Sequence, residues 1–358
     1  MTKEDSAALH LQGLILEGGW IVGDLVPLPE DHTGSAFSVG YRVHHQDDGR
    51  RGFLKAFDFS MAFKHPDMTA EIERLTTLYN GERDLLRWCN EKGLRRVIRS
   101  LDDGTAHVPG FELGAVPYVI FEEADQDVRG TLANCDPADQ IARLSLAHHA
   151  AVALRQLHIN SVSHRDVKPS NMVVWADTVG STNRPQYEGK LSDLGCAHVP
   201  GRPSPHDFNP IAGDMSYASP EQLYDCDEFL SDRRHKQAAD MFMLGNLIVY
   251  LMTGVTHNQL IYRELDETLH WRNWGGSYDE VLPGLVDAHV TALSSLEPLL
   301  LDEVKPLLQV IDGLCHPDPN QRGDMIARRQ NHNPFTLERF VTRLNLIQQR
   351  AELFLRAS

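Results

Sequence analysis

The spacing of apolar residues changes once along this chain, and that change limits the folds open to it. From Trp20 to about Glu122 the apolar residues come in short runs bounded by turn residues, which predicts β-strands. An Asp-Gly pair at residues 48–49 is typical of a hairpin turn between two of these strands. One helical stretch, residues 68–92, interrupts the runs. Antiparallel strands with a single helix predict a small α+β unit.

Helical spacing dominates from Leu132 onward. Residues 141–158 predict one helix, and residues 237–253 predict another that is apolar nearly all round and is therefore expected to be buried. The last segment starts with Asn333-Pro334, a helix cap followed by a proline in the first turn. We expect the resulting helix, residues 334–355, to pack on the larger unit. Recruitment of a partner protein by its apolar face is the alternative.

Composition excludes several classes of protein. With 42% apolar and 23% charged residues among 358, the chain has an ordinary globular make-up. The 34 Lys and Arg residues against 50 Asp and Glu give a net charge of −16, which argues against a nucleic-acid or anionic-membrane binder. The N-terminus lacks a signal-peptide pattern, and the longest apolar run is too short to span a membrane. The five cysteines are scattered without a CxxC pair, which favours reduced thiols in a cytoplasmic protein.

The strongest chemical signal is a polar motif in the middle of the chain. Residues 164–171 read His-Arg-Asp-Val-Lys-Pro-Ser-Asn and precede a short predicted strand, and Asp193-Leu194-Gly195 follows the next one. Phosphoryl transfer needs oxygen ligands for Mg²⁺, a cation on the phosphates and an acceptor for the proton of the attacking hydroxyl. These two segments contain all of these groups.

Both segments resemble the catalytic and metal-binding loops of eukaryotic-like (Hanks-type) Ser/Thr protein kinases. The resemblance implies that Asp166 orients the substrate hydroxyl and accepts its proton, and that Lys168 steadies the γ-phosphate. It implies that Asn171 and Asp193 hold Mg²⁺. The implied activity is transfer of the γ-phosphate of Mg-ATP to Ser or Thr hydroxyls of a protein substrate.

The segment at residues 52–57 resembles the third strand of the kinase small lobe. The resemblance implies that Lys55 contacts the α- and β-phosphates and needs a carboxylate from the helix at residues 68–92 to fix its long side chain. Glu82 is the favoured partner, because an apolar pair follows it three residues later as in the family. Glu71 and Glu73 are the alternatives.

The remaining nucleotide contacts also come from the resemblance. The stretch at residues 32–40 occupies the place of the glycine-rich loop but departs from its pattern, since Thr33, Ser35 and Ser38 stand at the usual glycine positions when the loop is aligned on Phe37. The predicted phosphate-loop contacts are Thr33, Gly34, Ser35 and Val39. The predicted purine and ribose contacts are the Glu122 carbonyl, the Ala124 N–H, Asp127 and Val173.

Three features downstream match the part of a protein kinase that binds peptide. Residues 213–221 resemble the segment that ends in Ala-Pro-Glu, and Arg322 would pair with its Glu221. Asp240 would brace the catalytic-loop backbone. Asp214 departs from the family, which usually has threonine there, and predicts slower phosphorylation with a preference for basic substrates.

Regulation is a separate hypothesis. Ser204 is the hydroxyl residue between Asp193 and Gly213, and a phosphate there would pair with Arg165.

The resemblance covers about residues 20–322 and implies a bilobal protein kinase-like α+β fold. We expect an N-terminal extension at residues 1–19, a small antiparallel β lobe with one main helix at 20–124, a larger helical lobe at 125–330 and a C-terminal helix in 331–358. Two alternatives to an active protein kinase are a pseudokinase scaffold and a small-molecule kinase. The intact Lys55, Asp166, Lys168, Asn171 and Asp193 argue against the first, and the peptide-binding segment argues against the second.

Overall fold

The computed structural model describes residues 6–27, 37–136, 139–177, 186–209, 211–226 and 233–357. The chain divides into two compact units. The small unit comprises Met1–Ala124 together with Asp193–Gly195, and the large unit comprises Asp125–Ser192 and Cys196–Ser358. Each unit is described by itself below.

The small unit is built on a five-stranded antiparallel sheet with one long helix. Its strands have the spatial order β1-β2-β3-β5-β4. They are β1 (Trp20–Val26), β2 (Ser38–His45), β3 (Arg51–Phe57), β4 (Ser100–His107) and β5 (Ala115–Glu122), and the helix is α1 (Met68–Glu91). The Asp67 side chain caps α1 by accepting the Ala70 N–H. Helix α1 buries the face that carries Leu75, Tyr79, Glu82 and Leu86, so a glutamate lies among apolar side chains.

Residues 6–19, predicted as part of an N-terminal extension, contribute to the core of the small unit. Ala7, Ala8 and Leu11 are buried with Trp20 and Tyr41, and the Tyr41 hydroxyl donates to the Ala8 carbonyl at 2.8 Å. The four-part division of the chain stays a prediction. In the structure this segment packs as part of the small unit.

The large unit contains a small sheet and, among its described residues, most of the helices of the protein. Strands β6 (Gln126–Asp127), β7 (Met172–Asp177) and β8 (Gln186–Leu191) form the sheet in that order. The helices are α2 (Val128–Asn134), α3 (Gln140–Ile159), α4 (Pro220–Leu223), α5 (Arg233–Thr253), α6 (His257–Glu264), α7 (Tyr278–Leu296), α8 (Leu307–Cys315), α9 (Met325–Arg329) and α10 (Glu338–Ala357).

Helix α5 runs through the core of the large unit. Its residues 238–249 are buried almost without interruption, as their all-round apolar character predicts. In the described part of the chain, no single helix has the length and hydrophobicity to cross a membrane. Helices α5 and α6 pass that test only as a pair, and they are bent by 89° at the break that separates them.

Helix α10 packs on the large unit, as the apolar spacing of the C-terminal segment predicts. Phe340, Leu344 and Ile347 are buried in the main core, and Arg155 of α3 pairs with Glu338 at 2.6 Å. The helix begins at Glu338, later than the predicted residue 334, since the Asn333 side chain accepts the Phe335 N–H and forms a turn there. Recruitment of a partner by this helix stays a prediction.

Candidate active site

The catalytic motif lies on a loop whose backbone is held by a buried carboxylate. Asp240 of α5 is fully buried, and its two oxygens accept the N–H groups of His164 at 2.8 Å and Arg165 at 2.7 Å. Arg165 has a left-handed backbone, with φ of 67°, which is costly for a residue with a side chain. Charge-assisted hydrogen bonds to consecutive N–H groups offset that cost. Asp240 therefore braces the loop, as predicted.

The Asp166 carboxylate is fixed from three sides. Its Oδ2 accepts the Asn171 Nδ2–H at 2.8 Å and lies 3.1 Å from Lys168 Nζ. Its Oδ1 accepts the backbone N–H of Asp214 at 2.8 Å. A Cβ atom at Gly213 would clash with the Asp166 side chain and the Arg165 carbonyl oxygen, so this close approach requires glycine. The structure thus brings together three of the predicted residues, Asp166, Lys168 and Asn171.

Lys168 also lies near the second carboxylate that the sequence singles out. Its Nζ is 3.7 Å from Asp214 Oδ2, farther than from Asp166 Oδ2. Asp214 Oδ1 accepts the Ser216 N–H at 2.9 Å, which holds the side chain in a tight local turn. One ammonium group therefore balances two carboxylates.

The small unit contributes a second cluster of predicted residues. Lys55 of β3 lies 3.0 Å from both carboxylate oxygens of Glu82 and 3.2 Å from Asp193 Oδ1. The structure thus selects Glu82 among the three candidate glutamates. Glu71 pairs instead with Arg74 at 2.7 Å on the same helix.

Burial and charge act in opposite directions on this cluster. Burial by itself would lower the pKa of Lys55, but the carboxylates of Asp193 and Glu82 outweigh it and hold the pKa above its ordinary value. Burial raises the pKa of Glu82 against the opposing attraction of Lys55. Asp193 has a left-handed backbone, with φ of 56°, which marks a site where the fold imposes an unfavourable conformation. Lys55 is thus held as a cation between two carboxylates.

The predicted nucleotide contacts are only partly placed. Thr33, Gly34 and Ser35 lie outside the described residues. Val39 is paired with Ala56 across the β2–β3 ladder. These contacts stay predictions.

The predicted purine and ribose contacts comprise two residues of the small unit and two of the large unit. Glu122 ends β5, where its N–H donates to the Arg99 carbonyl at 3.1 Å, and Ala124 is the last residue of the first segment of the small unit. Asp127 caps α2 by accepting the Gly130 N–H at 2.9 Å, and it also accepts from Arg129 at 2.8 Å. Val173 is opposite Asp127 in the β6–β7 ladder. The capping role of Asp127 was not foreseen, and its contact with ribose stays a prediction.

The residues predicted to hold a metal ion fit Mg²⁺ in their chemistry. Asn171 and Asp193 offer amide and carboxylate oxygens, the donors that this hard cation prefers. The Asn171 amide nitrogen donates to Asp166, so the amide oxygen is the atom that a cation would bind.

Arg165, the predicted partner of a phosphate on Ser204, already has an acidic partner in the structure. Its Nη1 donates to Asp207 Oδ1 at 2.7 Å, and its Nη2 donates to the His206 carbonyl. Burial alone would raise the pKa of Asp207, but hydrogen bonds from the Ser204 N–H, His198 and Arg165 hold that pKa below its ordinary value. Asp207 is a residue that the sequence reasoning missed. The signal that could have identified it is its negative charge in the segment between Asp193 and Gly213, where a partner for Arg165 was sought.

The predicted pair of Glu221 and Arg322 is formed and sealed. Arg322 Nη1 and Nη2 donate to the two oxygens of Glu221 at 2.6 and 2.8 Å. The remaining donors of the guanidinium group reach the carbonyls of Ala238, Pro317 and His316. Every N–H of Arg322 therefore has an acceptor.

This constellation defines a class of protein. The sequence profile of the protein kinase domain matches residues 37–335, and the chain belongs to this family. A solved structure of a kinase domain, PF14_0431, superposes with a TM-score of 0.53 at 14% identity, covering 87% of this chain and 94% of that one. At that identity the likeness concerns the fold, which is the two-lobed protein kinase fold.

Two of the similar proteins carry the name of serine/threonine-protein kinases. The serine/threonine-protein kinase/endoribonuclease IRE1b of Arabidopsis thaliana is 27% identical over 184 residues, which is 50% of this chain and 17% of that protein. The serine/threonine-protein kinase AfsK of Streptomyces coelicolor is 30% identical over 152 residues, 42% of this chain and 16% of that protein. The chain therefore spans a small part of the length of these relatives.

Proposed function

We propose that this protein transfers the γ-phosphate of ATP to serine or threonine hydroxyls of a protein substrate. The observation that carries the proposal is the fixed Asp166 carboxylate, whose Oδ1 accepts the N–H of Asp214 in the segment 213–221 that resembles a peptide-binding segment. Family membership and the Ser/Thr kinase relatives support the same activity.

Asp166 acts as the catalytic base in this proposal. Its Oδ2 already faces Asn171 and Lys168, and its Oδ1 accepts the Asp214 N–H. Because a carboxylate oxygen has two acceptor positions, Oδ1 can also accept the substrate hydroxyl. Asn171 and the Asp214 N–H fix the direction of that second position. The Lys168 ammonium group lies 3.1 Å from Oδ2 and balances the charge of the carboxylate, which would take the proton from the hydroxyl.

Lys55 and Glu82 supply the second element of the mechanism. The buried Glu82 orients the Lys55 ammonium group, and that group would bind the α- and β-phosphates. Asn171 and Asp193 would hold Mg²⁺, which would neutralise charge on the phosphates. The protein thus contributes orientation and charge more than covalent chemistry.

The test is transfer of radiolabelled phosphate from Mg-ATP to a generic basic protein. The matched control is Asp166→Asn, which keeps the size of the side chain and removes its basicity. We expect labelled protein substrate with the wild type and a loss of at least about 100-fold with the variant. Tight ATP binding without any transfer would favour the pseudokinase alternative, and transfer to aminoglycosides or choline alone would favour a small-molecule kinase.

Cytoplasmic location is part of the same proposal. All five cysteines lie in the described part of the chain as thiols, and thiols persist in reducing compartments. Fractionation of cells that express the tagged protein tests this location.

A further inference from the structure

Three consecutive carbonyl groups of the segment 214–218 accept hydrogen bonds from the side chains of two buried asparagines. Asn246 of α5 donates its Nδ2–H to the Tyr217 carbonyl at 3.1 Å. Asn258 of α6 donates through Nδ2 to the carbonyls of Ser216 at 3.1 Å and Ala218 at 2.9 Å. Neither asparagine belongs to any motif that the sequence analysis identified.

The two amides can have only this orientation. Asn246 Oδ1 accepts the backbone N–H of Asn258 at 2.9 Å, so the nitrogen of Asn246 has to face Tyr217. Asn258 Oδ1 is buried and has no hydrogen-bond partner among the described residues, which costs free energy. The reversed orientation of the Asn258 amide is less favourable still, because it would put Oδ1 against the carbonyl oxygens of Ser216 and Ala218. Both side chains are almost fully buried, at 0% and 3% exposure.

The first turn of α6 is fixed independently of the segment that it holds. Thr256 and Gln259 form a reciprocal capping box at its start, with bonds of 3.1 and 2.9 Å. His257 Nε2 lies 2.8 Å from Nδ1 of His289 in α7, and the His289 Nε2 reaches Asp312 Oδ1 of α8 at 3.0 Å. Asn258 is thus presented to the segment by a turn that is fixed by its own capping box and by contacts that lead to α7 and α8.

The segment itself connects the buried asparagines to the catalytic base. At its start the Asp214 N–H donates to Asp166 Oδ1, while the side chains of Met215 and Ser216 are exposed. Its carbonyls face inward to the asparagines, so these exposed side chains face solvent on a backbone that is anchored on one side.

We propose that Asn246 and Asn258 are positioning residues for the protein substrate. They hold residues 214–218 in the one conformation that presents a binding surface beside Asp166, and they thereby lower the KM for the protein. The inference rests on the proposed kinase function and deepens it. A protein substrate binds to this segment, whereas ATP and water do not need it.

The experiment replaces Asn258 by aspartate, which has the same shape but offers oxygens where the carbonyls need donors. In Asn258→Asp we expect the KM for the protein substrate to rise about tenfold, corresponding to the loss of two hydrogen bonds. The KM for ATP and the slow hydrolysis of ATP without protein substrate should stay within twofold of wild type. Asn246→Asp should show the same pattern.

A matched control is available in the same unit. Gln140 is also buried and donates its Nε2–H to a backbone carbonyl, that of Leu299, at 2.8 Å. Gln140→Glu makes the same chemical change away from residues 214–218, and we expect no rise in the KM for the protein substrate. If a buried aspartate prevents folding, Asn258→Ala removes the donors without adding charge, and its KM should rise about fivefold.

The outcomes separate the two proposals. A folded Asn258 variant with an unchanged KM for the protein substrate overturns this inference. The inference is also overturned if Gln140→Glu raises that KM as much as Asn258→Asp does. A third contrary result is an Asn258 variant whose ATP hydrolysis without protein substrate falls by the same factor as its KM for the protein rises. A wild-type protein that transfers no phosphate overturns the proposed function and this inference with it. An active wild type with an unchanged variant overturns the inference alone.

Discussion

Two buried ion pairs of this protein resemble each other in charge and differ in how far they are closed. Arg322 is fully buried, its partner Glu221 is nearly so, and every N–H of the guanidinium group has an acceptor. Lys55 keeps 13% of its side chain exposed and is shared by the buried Glu82 and by Asp193, which is 30% exposed. Each cluster lies within a single unit of the chain.

The difference separates an ion pair that can only stabilise the fold from one that keeps a cation accessible to a ligand. Arg322 has no capacity for another partner, and breaking its pair strands a charge in the core. In the proposed function, Lys55 would exchange the accessible Asp193 for a phosphate of ATP while Glu82 continues to hold it. The same chemistry of cation and carboxylate thus serves two purposes, and solvent access decides which.

The largest effect is expected for the sealed pair. Glu221→Ala or Arg322→Ala should lower the free energy of unfolding of the large unit by about 3–5 kcal/mol, because the remaining charge is buried without its partner. The double variant should lose less than the sum of the two single losses. Urea denaturation measures all three variants, and additive losses would show that the two residues act independently.

The open pair should affect the rate and leave the fold intact. Lys55→Met is expected to slow phosphoryl transfer by about 10²–10³-fold, the usual result of removing a group that stabilises transition-state charge. Its melting temperature should stay near that of wild type. Lys92→Met, which changes an exposed lysine at the end of α1, serves as the control. Wild-type turnover by the purified Lys55 variant would contradict the kinase proposal.

A third cluster of charges, around Asp207, should make stability depend on pH. The pKa of Asp207 is below its ordinary value of 3.8 in the folded protein, so the unfolded chain takes up its proton first as the pH falls. The pKa of His198 is also below its ordinary value of 6.5, in this case because burial disfavours the charged imidazolium. Both groups therefore contribute stability that is lost on acidification, His198 below about pH 6.5 and Asp207 below about pH 3.8.

The variant Asp207→Asn tests this cluster. It should lower stability at pH 7 by about 1 kcal/mol, the value of a partly exposed ion pair, and remove the lower of the two acid steps. Thermal melts between pH 3 and pH 8 measure both.

Ser204→Ala should behave as wild type in the activity assay, because Asp207 already pairs with Arg165. A strong dependence of activity on Ser204 would restore the phosphorylation hypothesis.

The smallest effect is expected at Asp214. Its carboxylate draws on the Lys168 ammonium group from 3.7 Å, so less of that charge is available to the γ-phosphate. Asp214→Thr should raise the rate on generic Ser/Thr peptides by about twofold to fivefold and weaken a preference for basic substrates. Peptide-array phosphorylation by the two proteins measures both. Identical rates and identical preferences would show that this carboxylate does not influence transfer.

Local sequence was sufficient to predict which residues of the proposed catalytic loop in the large unit lie together. Residues 164–171 are contiguous, so the short loop alone brings Asp166, Lys168 and Asn171 within hydrogen-bonding distance. The pairing of Lys55 with Glu82 needed a further assumption, because three glutamates on α1 were candidates. The helix decides it by burying the face with Glu82, whereas Glu71 pairs with Arg74 on the same helix.

The sequence by itself determined the order of strand and helix regions, the catalytic motif and the charges that must meet in the core, since these depend on periodicity and on contiguous residues. The tertiary structure decided which charges are sealed and which stay accessible, that Asp207 takes Arg165, and that two unremarked asparagines hold residues 216–218. These contacts join residues far apart in the chain, as with Asn258 and Ala218. A polar residue has no local signature that states whether burial will leave it with a partner, and only the packing of distant elements settles that.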